Sequence, residues 1–162
     1  MPQCTSSNHR RRSRSMPQVV RSATTSWTGT LAEGEGYLAT GSGAITSLPL
    51  TFPRRMGEPE GFTSPEELLA STHASCFAMS LASALAAAAA SFVELVVTVD
   101  VTLNRVDGTL AVTSSDVQVA VDSESIDQAA LDELLETADK RCPMSQLIRH
   151  GARVTISGVV EG

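Results

Sequence analysis

An α+β fold is predicted for this chain of 162 residues, and three observations predict it. Residues 64–90 carry a helix-start signature followed by a long run of helix formers. Residues 93–104 alternate apolar and polar side chains with the period of a half-buried strand. Glycines cut residues 19–52 into short β-like runs.

The early runs are VVRSATTSWTGTL, EGYLAT and AITSLPLTF, with Gly34, Gly36, Gly41 and Gly43 read as turns between them. PRRMGEPEGF, rich in Pro, Gly and charge, reads as a loop. Ser64 can cap the helix that follows, Pro65 suits its first position, and Glu67 completes a capping box. Its large apolar groups Leu68, Leu69, Phe77, Met79, Leu81 and Leu85 spread around the circumference, which predicts burial on nearly all sides. The length would also fit a membrane span, but His73, four serines and a threonine between 71 and 83 and the flanking Glu66, Glu67 and Glu94 argue against one.

In the next strand Val93, Leu95, Val97, Val99, Val101 and Leu103 share one face. Asp107-Gly108 is a hairpin turn and TLAVTSSDVQVAVD the return strand. Residues 125–141 read as a second helix with Ser125 and Gln128 as its capping box. Pro143 stops it and opens a short helix, 143–150, before a final strand, RVTISGVVE. The strands are expected in antiparallel groups with helices packed against them.

The first 16 residues form a basic tail, expected to be disordered, ahead of one domain at 17–162. The tail holds Arg10, Arg11, Arg12 and Arg14 and no acid, and it lacks the apolar core of a secretory signal. The remaining residues carry eight basic and eighteen acidic groups, and this acidic body argues against nucleic acid as a partner. Three cysteines, Cys4, Cys76 and Cys142, make no secreted disulfide framework, and a cytoplasmic location is expected.

Cys4 lies in the tail, which leaves two thiols in different settings. Cys76 sits inside the long helix, either as a buried structural cysteine or as a reactive one. Cys142 precedes Pro143 at the start of the last helix, where free amides and the nearby Lys140 and Arg141 favour a thiolate; a half-buried junction cysteine is the competing reading. A zinc site of His73, Cys76, Cys142 and His150 fits no common ligand spacing. His73 reads instead as a hydrogen-bonded interior histidine, and no metal is expected.

SPEELLASTHASCFAMSL and CPMSQLI, with SWTGTLAEGEGYLATGSGAI upstream, resemble the two cysteine motifs and the N-terminal stretch of the OsmC/Ohr family. This is the family of osmotically induced protein C and the organic hydroperoxide resistance proteins. The resemblance spans roughly residues 20–160 and favours the OsmC branch. It implies antiparallel sheets packed on long central helices in an intertwined homodimer. It further implies a cysteine-based peroxidase without cofactor, acting on organic hydroperoxides and hydrogen peroxide and recycled by a dithiol reductant of lipoyl type. By match, Cys76 is the peroxidatic cysteine and Cys142 the resolving one. Arg55 takes the place of the active-site arginine, with Arg54 a near rival, and Glu66 is its acidic partner. AAAAASF departs from the family in having no Gly or Pro where the helix usually breaks.

The implied chemistry needs more than a thiolate. A free thiol with a pKa of about 8.5 is a few per cent ionised at neutral pH, so full ionisation gains roughly thirtyfold. The rest is expected from Arg55 stabilising charge as the O–O bond breaks, with Glu66 holding the guanidinium. The helix around Phe77 and Met79 is expected to offer apolar contact to an organic peroxide. Glu66 and Cys76 are ten residues apart on one helix, about 15 Å, so Glu66 is expected to come from a second chain. The competing functions are a redox sensor and a non-catalytic ligand-binding dimer.

Overall fold

The computed structural model describes residues 19–161, so the basic tail lies outside the described residues. Three short strands, β1 (Ala23–Thr28), β2 (Glu35–Thr40) and β3 (Leu48–Leu50), form an antiparallel meander. Gly36 is not a turn residue but the centre of β2, paired with Trp27 on one side and Leu50 on the other. A Cβ there would come within 2.8 Å of the Trp27 ring, so the missing side chain is what lets the indole lie across the sheet.

Residues 53–62, read as a loop, begin with a short helix, α1 (Phe52–Met56). Thr51 caps it by accepting from the Arg54 amide at 3.2 Å, and Pro53 opens it. Five residues are too few to show a helical period, which is why the sequence hid it.

The long helix, α2, runs Pro65–Ala87 with Ser64 as its cap. It stops three residues short of the expected Ala90 without any glycine. Ala89 takes the left-handed conformation at φ 53°, and the amides of Ala89 and Ala90 return to the carbonyls of Ala86 and Leu85. Alanine here does what glycine does in most such helix ends.

Two long strands follow, β4 (Glu94–Val106) and β5 (Thr109–Asp122), joined at Asp107-Gly108 and paired antiparallel. After β5 come α3 (Gln128–Arg141), α4 (Pro143–Ile148) and β6 (Arg153–Glu161). The expectation of purely antiparallel groups fails at β6, which pairs with β5 in parallel. The two intervening helices carry the chain back across the sheet, and such a crossover returns the next strand in the same direction. The cap of α3 is also not the expected one. Asp127 accepts from the Ala130 amide at 2.9 Å, while Ser125 is turned to the Ser91 backbone and ties the α2–β4 connection to the start of α3.

One face of this second sheet carries the core. Leu95–Val121–Val160, Val97–Val119–Gly158 and Val99–Val117–Ile156 form three rows across β4, β5 and β6. Helices α2 and α3 close over them with Phe77, Leu81, Leu85, Leu131 and Leu135. Each fully buried leucine is worth roughly 1.5–3 kcal/mol relative to leaving it in water. Leu135 nests over Gly158, where a Cβ would sit 3.0 Å from its methyl.

Helix α2 departs from the expected all-round burial. His73, Phe77, Leu81, Ala84 and Leu85 are enclosed, but Met79 on the far side is 68% exposed. By length and composition α2 could cross a membrane, yet here its enclosed stripe is the core of the sheet-and-helix layer. The reason for the mismatch is that composition reports how apolar a helix is, whereas one layer of partners can cover only one side of it.

Replacing Ala89 by Gly should stabilise the fold by about 0.5–1 kcal/mol, because the left-handed penalty disappears while part of the gain is lost to a freer unfolded chain. Urea unfolding checks this as a raised midpoint at unchanged slope.

Candidate active site

The fold brings the two thiols together. Cys76 lies on the fourth turn of α2, and Cys142 both ends α3 and caps α4. Their sulfurs are 3.3 Å apart. The burial is the reverse of the sequence expectation: Cys142 is completely enclosed, and Cys76 is only half-buried. A residue at a helix junction is exposed only when nothing packs over the junction, and α2 and the sheet pack over this one.

The amides at the start of α4 point into the pair. The Ser145 amide donates to the Cys142 sulfur at 3.5 Å, and the Met144 amide favours the ionised form of both thiols. Burial alone would push both thiols up. For Cys142 the Ser145 amide and hydroxyl, the Cys76 thiol and the Met144 amide outweigh burial and hold it below the ordinary thiol value. For Cys76 burial wins and is reinforced by the neighbouring sulfur, which pushes it up. Within one chain the surroundings thus favour ionisation of Cys142 over that of Cys76. Lys140, expected to help Cys142, instead pairs with Glu136 at the surface.

Arg55 and Glu66 form a second pair. Arg55 Nε donates to Glu66 Oε2 at 3.0 Å and Nη2 to Oε1 at 2.6 Å, the two-pronged contact of a planar guanidinium on a carboxylate. Its rival is engaged elsewhere: Arg54 pairs with the exposed Glu60 at 2.6 Å. Burial alone would raise the Glu66 carboxyl, but the Arg55 hydrogen bond and charge outweigh it and hold it low.

The two pairs do not meet within the chain. Helix α2 is continuous from Pro65 to Ala87, so Glu66 and Cys76 stand about 15 Å apart along it. The cavities that Arg55 lines include neither cysteine. One of them is apolar, enclosed by Trp27, Leu31, Leu50, Phe52 and Pro65. None of these residues carried a site signal in the sequence: Trp27, Leu31, Leu50 and Phe52 lie in strand-like runs, and Pro65 reads as a helix start. Phe77 and Met79, expected to offer apolar contact together, face opposite ways: Phe77 is in the core and Met79 projects from the other side of α2.

His73 is an interior histidine, as its setting in the sequence suggested. Its Nδ1 is 2.8 Å from Ser115 Oγ and its Nε2 2.8 Å from Ser145 Oγ, so both ring nitrogens are occupied by hydroxyls. Among the described residues no three His, Cys, Asp or Glu side chains cluster as metal ligands.

Residues 57–157 match the model of the family described as OsmC-like protein. The chain belongs to the OsmC family. It is 34% identical over 130 residues to peroxiredoxin OsmC of Escherichia coli (strain K12), covering 80% of this chain and 89% of that one, and the same figures hold for peroxiredoxin OsmC of Shigella flexneri. The OsmC fold is shared with an organic hydroperoxide resistance protein OsmC from Legionella pneumophila, at TM-score 0.71 and 23% identity over 88% of this chain and all of that one. It is shared too with the organic hydroperoxide resistance protein OhrB of Bacillus subtilis, at TM-score 0.63 and 21% identity over 86% of this chain and 98% of that one.

Because the folded Glu66 carboxyl titrates below its ordinary value of about 4.5, its ion pair contributes stability above that pH and loses it as pH falls through the folded value. Glu66→Gln should therefore be less stable than the parent at neutral pH, with the difference shrinking in acid. Urea midpoints at neutral and acidic pH measure it.

Proposed function

We propose that the chain is a thiol-dependent peroxidase that reduces organic hydroperoxides, and hydrogen peroxide, through a Cys76 sulfenic acid and a Cys76–Cys142 disulfide. The observation that carries this reading is the 3.3 Å separation of the two sulfurs, because a disulfide of about 2.05 Å needs only a small further approach. Half-buried Cys76 meets an incoming peroxide before the enclosed Cys142 does, which supports the assignment of roles.

The Cys76 thiolate attacks one peroxide oxygen, the O–O bond breaks, and the alcohol leaves after gaining a proton. Cys142 then attacks the sulfenic sulfur, forming the disulfide and releasing water. An external dithiol, of lipoyl type in this proposal, reduces the disulfide and is itself oxidised. The compartment proposed is the cytoplasm, where thiols stay reduced.

The arginine clamp reaches this chemistry across a homodimer. Arg55 is bound to Glu66 of its own chain, so a second chain would bring both to Cys76 together. Support comes from what one chain leaves uncovered: all of β1, Met79 on the outer side of α2, and Trp27 and Leu31 beside the apolar cavity. A guanidinium placed against Cys76 favours its ionised form and would draw the pair's negative charge from Cys142 to Cys76. The same guanidinium would stabilise the parting oxygens, and the apolar cavity beside it would receive the organic group.

Peroxide consumption with dithiothreitol or dihydrolipoamide as reductant tests the reading. Steady turnover supports the enzyme, a single stoichiometric oxidation supports a redox sensor, and no oxidation supports a ligand-binding dimer. Cys76→Ser should abolish turnover, and Cys142→Ser should react once and then stall or over-oxidise, as mass spectrometry of the protein would register. Normal turnover by both variants would overturn the roles.

Mixing Cys76→Ser with Glu66→Ala chains tests the shared site. A mixed dimer would hold one site with both lesions and one with neither, so activity should return. Heterodimers as inactive as both parents would place Glu66 in service of its own chain.

A further inference from the structure

The peroxidase chemistry leaves a fully enclosed cluster of polar side chains unused. His73 stands one turn before Cys76 on α2, and His73, Ser115 and Ser145 are each 0% exposed. Ser115 lies on β5 in register with Val101 and Val154, at a place in the apolar face where the next three alternate residues are valines. Ser145 lies on α4, three residues after Cys142. The Ser115 and Ser145 hydroxyls are both bonded to His73, the Ser145 backbone amide donates to the Cys142 sulfur, the Ser145 hydroxyl acts on the same sulfur, and that sulfur lies 3.3 Å from that of Cys76.

We infer that His73 is a positioning residue for disulfide formation: it holds Ser145 against Cys142 and, through the Ser145 hydroxyl, sets how readily the Cys142 sulfur ionises. The inference rests on the proposed reaction for its consequence, but not for its geometry.

The chemistry follows from the two neutral forms of imidazole. With its hydrogen on Nε2, His73 donates to Ser145, and the Ser145 hydrogen is free to point at a Cys142 thiolate; Ser115 then donates to Nδ1. With its hydrogen on Nδ1, His73 donates to Ser115, Ser145 donates to Nε2, and the Ser145 oxygen can accept from a Cys142 thiol. One relay serves both states of Cys142 without stranding a buried polar group. When the Cys142 thiolate attacks the Cys76 sulfenic sulfur, the S–S bond forms and the S–O bond breaks. The departing hydroxide takes a proton from solvent on the half-exposed Cys76 side and leaves as water. Cys142 then carries no charge, and the relay can return to its second form.

The groups around the relay keep the imidazole neutral. Burial pushes His73 below its ordinary value; Asp139 of α3 opposes this and Arg149, just after α4, reinforces it. Asp139 and Arg149 are themselves paired at 2.5 Å, so their effects on the ring largely cancel. Cys76 and the Met144 amide are the other groups facing the Cys142 sulfur.

The test isolates Cys142 as the only thiol, in a Cys4→Ser, Cys76→Ser protein, and follows its ultraviolet thiolate absorbance against pH. Ser145→Ala and His73→Asn should each raise the titration midpoint by about one unit. The double variant should shift no further than either alone, because both cut the same relay. With Cys76 restored, the slowing should fall on disulfide formation rather than on sulfenic acid formation, by about tenfold. If His73→Asn does not fold, Ser145→Ala alone decides. An unmoved midpoint in folded Ser145→Ala overturns the inference even if the parent consumes peroxide. A moved midpoint in a protein whose parent consumes none sustains the relay and overturns the peroxidase reading instead.

Discussion

The packing of α4 onto α2 is the contact on which the rest of the site depends. It brings a cysteine from the fourth turn of one helix to within 3.3 Å of a cysteine capping another, 66 residues later in the chain. The approach is held from three sides. The β5 face fixes Ser115, α2 fixes His73, and α4 fixes Ser145, so the histidine bridges all three layers with both of its nitrogens. An imidazole buried with both nitrogens paired loses little to desolvation, whereas leaving either hydroxyl or nitrogen unpaired would cost about 1–3 kcal/mol. The polar bridge therefore fixes the distance between the thiols as well as filling the core.

Two thiols at that distance cannot both be ionised, and their surroundings decide which one is. Within one chain the amides and hydroxyl at the start of α4 favour Cys142. The strongest positive group of the proposed site, Arg55, is bound to Glu66 some 15 Å along the helix. Within one chain, therefore, Arg55 does not act on the thiols.

The molecule divides its labour along α2. Its enclosed stripe, from His73 to Leu85, closes the core of the β4–β6 sheet. Its first turn carries Glu66 and meets α1 through Arg55, with the N-terminal meander and its indole-lined cavity beyond. Its outer side, with Met79, is uncovered in the single chain. One long helix thus serves as core element and as anchor of the Arg55–Glu66 pair, and its composition is apolar on all sides although only one side is enclosed.

From the sequence alone, local rules determined a good deal: the capped start of α2, the alternating face of β4, the Asp107-Gly108 turn and the identity of both thiols were all legible. Each depends on neighbours in the chain or on a motif, and neither needs the fold to be known. The parallel pairing of β6, the exchange of burial between Cys76 and Cys142, and the Ser115–His73–Ser145 bridge were decided only in three dimensions. Burial is a property of what packs over a residue, and the groups over Cys142 come from α2 and β5, far away in sequence. Ser115 and Ser145 carried no signal of their own, because a serine reads as a surface or turn residue until its partner is placed. Their bridge through His73 exists only where strand and helices from three parts of the chain converge.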